Sequence, residues 1–197
     1  MLSSAFMQSW QSKLRRPLNA ALAAGSVLYP GLVYIGQSRV SPLTFIAFVL
    51  ALIGLRLAIS DRDAFSLWRM PIIMTAVGVV AISFLDSALA VKAYPVLINF
   101  GLAALFGYSL LRPPSLVERI ARLREPDLPD DAAAYCWRVT LVWAAFGVFN
   151  GSIAWGTAVW GTLEMWTLWT GLIAYILMGV LFAGELMVRS VVLRRRA

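Results

Sequence analysis

A chain of 197 residues that is 60% hydrophobic and only 14% charged has no stretch long and polar enough for a separate soluble domain, so residues 1–197 read as one integral membrane unit. The formal charge of +7 sits at the ends of apolar runs and not on an aromatic-bearing polar face, which points to membrane orientation and anionic headgroups instead of nucleic acid. Histidine is absent and Cys136 is the one cysteine, so an intramolecular disulfide, imidazole metal ligands and histidine-based triads are excluded; no metal, no cofactor and no catalytic set is expected. Neither a dinucleotide fingerprint nor a phosphate loop is present.

In chain order, Phe6, Trp10 and Leu14 recur at i, i+4 and i+8 beside Lys13, Arg15 and Arg16, which predicts a short helix lying in the membrane interface. The uncharged run that follows passes Tyr29, Pro30 and Tyr34 to reach Ser38, too long for the core of a cleaved signal and suited to a retained first span. Six apolar runs come near the roughly 20 residues that cross about 30 Å of hydrocarbon: 18–36, 42–60, 70–85, 94–111, 139–160 and 165–188. The expected fold is therefore all-α, a polytopic bundle of about six transmembrane helices. The third run is short and is expected to continue past Asp86 into 88–91.

Alternate counting places 15 of the 17 Lys and Arg residues on one side of the membrane, leaving only Arg39 and Lys92 on the other. Positive charge in short loops is retained on the cytoplasmic face, so both termini are expected to be cytoplasmic in a bacterial inner membrane. Trp155, Trp160, Trp166 and Trp169 fall near outer span ends, and Trp10, Trp68, Tyr135 and Trp137 near inner ones, as in the aromatic belts of membrane proteins.

The 112–138 stretch is the longest polar segment. Pro113 and Pro114 stop the fourth span, and Ser115 with Glu118 three residues on forms a capping-box pattern. Leu116, Ile120 and Leu123 then share one face, with Glu118, Arg119, Arg122 and Arg124 on the other, which predicts an amphipathic cytoplasmic helix. It is either a docking surface for an envelope or biosynthetic protein through Arg119, Arg122 and Arg124, or a connector at the interface. Asp130 or Asp131 is placed to cap the fifth span.

Polar groups in or near hydrocarbon are costly and need a partner or a purpose. The candidates are Lys92, Asn99, Arg138, Asn150 and Glu185. Asn150 stands between Gly147 and Gly151, a pair that lets another helix come close, and both asparagines suit an interhelical hydrogen bond. Glu185 is read as an ion-pair partner of Arg189 or Arg138, or else as a protonatable group. Tyr29-Pro30 with Gly36 matches Tyr94-Pro95 with Gly101, a spacing that an inverted duplication would give. Inverted symmetry would set the two tyrosines at opposite depths, whereas Tyr29 is expected in the outer half of the first span and Tyr94 at the outer end of the fourth, so the match reads as coincidental.

Lys92, Pro95, Val96, Ile98 and Asn99, then Arg119, Leu128-Pro129, Trp137-Arg138, Trp143 and Asn150, carry a resemblance over about 60 residues to the intracellular septation protein A family of bacterial inner-membrane proteins. That resemblance implies a role in envelope integrity and division through partners, without chemistry of its own, and marks Lys92, Pro95, Asn99, Trp137, Arg138 and Asn150. The chain is also similar to bacterial membrane proteins that accompany polyene or fatty-acyl biosynthesis genes and are sometimes labelled ketosynthases. Cys136 has no histidine to activate it, so condensing chemistry is not expected. The function expected is a non-catalytic accessory or scaffold in envelope or lipid biogenesis, in contact with membrane lipids; the alternative is a small carrier of a lipid or lipid-linked molecule, with Asn99, Asn150 and Glu185 along its path.

Overall fold

A computed structural model describes residues 17, 20–22, 24–59, 66–123, 126 and 129–194. The N-terminal helix expected around Phe6, Trp10 and Leu14 falls outside them, as does Arg124. All regular elements among the described residues are helical: α1 (Ala20–Gly36), α2 (Pro42–Ile59), α3 (Ser66–Ser83), α4 (Ser87–Leu111), α5 (Leu116–Arg122), α6 (Asp130–Trp160) and α7 (Leu163–Leu168), which continues through a π-helical segment (Trp169–Ile173) into α8 (Ala174–Arg194). Three stretches, Ser87–Leu111, Ala132–Trp160 and Leu163–Arg189, are long and apolar enough to cross a membrane. The apolar helices Ala20–Gly36, Pro42–Ala58 and Arg69–Ser83 are shorter.

Two boundaries correct the sequence reading. The third helix does not run past Asp86. It ends at Ser83, where the Leu85 and Asp86 amides both bond to Ile82 oxygen, and Asp86 opens the next helix. Its Oδ1 accepts from the amides of Ala88 (2.8 Å) and Leu89 (3.1 Å), satisfying two donors that a helix start leaves without partners. Helix α4 therefore begins at Ser87 and not at Tyr94, and Lys92 lies inside it. Likewise α6 begins at Asp130 and not at residue 139, with Pro129 at the cap position expected for an aspartate. An apolar run reports the part of a helix that avoids charge, and a helix extends beyond it wherever the backbone continues to bond.

Short turns reverse the chain after α1, α3 and α6, so α5, the starts of α1, α3 and α6 and the ends of α2, α4 and α8 gather at one end of the bundle. Helix α4 packs most extensively on α6 and α3. Gly147 and Gly151 make the α4–α6 contact possible: a Cβ at Gly147 would stand 3.0 Å from Ala103 Cβ and 3.2 Å from Asn99 oxygen, and one at Gly151 3.3 Å from Asn99 Cβ. The small-residue pair expected to admit a neighbour thus admits α4.

Two Tyr–Pro steps, Tyr29-Pro30 of α1 and Tyr94-Pro95 of α4, meet through their tyrosines. Pro95 has no N–H, so the Val91 carbonyl one turn earlier loses its usual helical partner. Tyr29 supplies a replacement, donating its hydroxyl to Val91 oxygen at 2.8 Å from a fully buried ring. In return Tyr94 donates to the hydroxyl of Ser26, four residues before Pro30, at 3.3 Å. The two rings meet edge to face with centroids 5.3 Å apart. The tyrosines of the matched segments thus lie side by side, where an inverted duplication would have set them at opposite depths.

Candidate functional site

Beneath this Tyr–Pro contact lies a cavity of about 470 Å³, within the roughly 300–1,000 Å³ typical of small-molecule sites. Six stretches build it: Ser26 and Pro30 of α1, Leu52 and Arg56 of α2, Ile72 and Thr75 of α3, Tyr94 to Leu102 on one side of α4, Asn150 of α6, and Thr170 to Met178 of the last helix. Leucine, isoleucine, methionine, proline and alanine together make most of the wall. Leu22, Arg56 and Leu102 line it toward the α5 end of the bundle.

Its polar side is a directed chain of hydrogen bonds. Trp169 Nε1 donates to Asn150 Oδ1 (3.0 Å), Asn150 Nδ2 donates to Asn99 Oδ1 (2.9 Å), and Asn99 Nδ2 donates to the Pro95 carbonyl (2.7 Å). Asn150 is 3% exposed, so leaving its amide without partners would be costly there. Trp169 reaches it from the first residue of the π-helical segment, a form of helix often found at functional positions. Thr75 and Thr170, both buried, line the same space and donate to the carbonyls of Pro71 (2.8 Å) and Trp166 (2.7 Å).

Of the five polar candidates, the structure brings Asn99 and Asn150 together and places the other three elsewhere. Lys92 Nζ donates to the Ala158 carbonyl (3.2 Å), covering one of the last carbonyls of α6, where a cation also complements the helix dipole. Among the described residues, Glu185 is not an ion-pair partner of Arg138 or Arg189: Tyr135 Oη approaches its Oε1 at 3.4 Å and its carbonyl at 3.3 Å, tying α6 to α8. It lies off the cavity wall that holds Asn99 and Asn150. Arg138 is exposed.

The α5 region departs from the capping-box expectation. Ser115 Oγ makes no bond among the described residues, and the free amides of Leu116 and Val117 are met instead by Ser109 Oγ (3.0 Å) and Thr140 Oγ1 (3.3 Å) from α4 and α6. Glu118 turns away from the cap and pairs with Arg122 at 2.8 Å. Arg119 folds back on the preceding loop, donating to the carbonyls of Pro114 (2.7 Å) and Arg112 (2.9 Å). The expected apolar face is split, with Leu116 buried while Ile120 and Leu123 are exposed.

The tryptophans divide too. Trp155 and Trp160 lie on the surface, whereas Trp166 is fully buried and donates to the Lys92 carbonyl (3.3 Å), and Trp169 serves the amide chain. Sequence reasoning placed both near an outer span end and missed their role as internal donors; Thr75, Thr170 and Tyr175 of the cavity wall carried no signal beyond being polar in apolar runs. Compared with family models, curated proteins and solved structures, the chain finds no match.

Proposed function

We propose that this chain is a six-span protein of a bacterial inner membrane, with both termini in the cytoplasm, that does no chemistry of its own and holds a small, largely apolar molecule in its central cavity. The observation that carries this reading is the cavity itself, because it gathers Asn99 and Asn150, two polar groups costly to leave unpartnered in hydrocarbon, on one wall. With the basic residues facing the cytoplasm, the Arg56 end of the cavity faces the inner leaflet. The role is that of a binding or carrying element in lipid or envelope metabolism.

A second reading keeps the chain as an accessory that organises partners in envelope biogenesis through the 112–138 segment, as the septation-family resemblance implies. Exposed Leu111, Ile120 and Leu123 at that end favour a covered face. Against it, Arg119 and Arg122 are occupied by bonds within the segment.

Native mass spectrometry of the protein in a mild detergent tests the first reading. It expects a stoichiometric adduct of small-molecule or lipid mass that is lost on Ala174→Phe, which fills the cavity from a buried wall position. A wild-type protein without any adduct, co-purifying with a defined envelope protein, supports the second reading and overturns the first.

A further inference from the structure

The orientation of both carboxamides follows from the two ends of their chain. Indole nitrogen carries a hydrogen and accepts nothing, so the Asn150 atom facing Trp169 is the oxygen. A backbone carbonyl only accepts, so the Asn99 atom facing Pro95 is the nitrogen. Neither amide can flip without setting donor against donor or acceptor against acceptor. Each amide oxygen therefore already accepts one bond, while each amide nitrogen retains a second N–H.

Tyr175 adds an O–H that has no hydrogen-bond partner among the described residues. The hydroxyls of Ser26, Thr75 and Thr170 are already directed at backbone carbonyls. The residues that line the cavity thus keep unengaged donors, the second N–H of each amide on α4 and α6 and the Tyr175 hydroxyl on α8, and the single charged lining residue, Arg56, comes from the last turn of α2.

Building on the cavity-binding reading, we propose that the site recognises an uncharged carbonyl carried on an apolar body, of the kind found in a long-chain ester or a quinone. A carbonyl oxygen can accept from a spare N–H or O–H group and brings no charge to desolvate. A carboxylate at the same place would lose its hydration with no cation in the amide chain, and a hydrocarbon would leave the donors bare.

The test measures displacement of a bound fluorescent lipid from the detergent-solubilised full chain by methyl hexadecanoate, a decyl-benzoquinone, hexadecanoate and hexadecane. The ester or the quinone is expected to bind about tenfold tighter than the hydrocarbon, and which of the two wins identifies the source of the carbonyl. Asn99→Leu removes that preference while hydrocarbon binding survives. Because Asn99 also holds Asn150, Tyr175→Phe provides the second variant: it removes a hydroxyl without a partner and narrows the preference by roughly threefold. Equal binding of hydrocarbon and ester overturns the proposal, as does tightest binding of the carboxylate. If no probe binds although the purified protein carries a native adduct, the carbonyl proposal falls alone; if the adduct is missing as well, the cavity-binding reading falls with it.

Discussion

Helix α4 has two unlike sides. Toward α6 the backbones nearly touch, with Gly147 and Gly151 leaving little room for even a single added carbon. Toward α1, α2 and α8, beyond the Tyr29–Tyr94 contact, the side chains leave a cavity of about 470 Å³. A helix bundle in lipid gains little from burying apolar surface, since lipid is as apolar as leucine, so close packing and hydrogen bonds must hold it together. Close backbone packing holds α4 to α6, whereas two tyrosine hydrogen bonds hold it to α1 and leave the space beside them open.

The sharpest way to break this contrast is to overfill the tight side. Gly151→Leu is expected to lower stability by about 1–3 kcal/mol or to abolish folding, read as a fall in melting temperature in detergent. The same fall at Gly179, where an added Cβ meets nothing, would sink the comparison; Gly179→Ala should instead stabilise the helix by about 0.5–1 kcal/mol. Next in size is the bond that joins the two sides. Asn150→Leu strands the Trp169 indole and the Asn99 oxygen, and a loss of about 1–2 kcal/mol is expected in thermal melting. Tyr29→Phe leaves the Val91 carbonyl without its donor, with a loss of about 1 kcal/mol by the same measurement; an unchanged melting temperature would mean that the Pro95 gap is filled by something else. The smallest effect belongs to the periphery. Arg119→Gln removes two exposed bonds and should change stability by less than about 1 kcal/mol while protease cleavage between residues 111 and 116 speeds up.

Legibility in the sequence divides along the same lines. The tight side could be read, because an asparagine flanked by two glycines in an apolar run points to a close helix contact. The open side could not. Which apolar residues stand back from one another depends on helix placement in three dimensions, and Trp169 in particular has the sequence position of an interface anchor but the geometry of an internal donor. Asp86 reads as a charge carried near the outer boundary by a third span that continues past it, because a short apolar run asks for more length, whereas its Oδ1 caps the next helix. Arg119 and Arg122 look available for a partner because periodicity shows which face a side chain occupies and not whether it bends back to a carbonyl.

The reciprocal bonds between the two Tyr–Pro steps carry a mechanical consequence. Sliding α1 by one turn against α4 would draw the Tyr29 hydroxyl away from Val91 and the Tyr94 hydroxyl away from Ser26 in the same movement, and would bare the carbonyl that Pro95 cannot serve. The two helices therefore travel as one strut. Any motion that widened the space beneath them would have to come from the other walls, with the tyrosine pair as a fixed lintel above it.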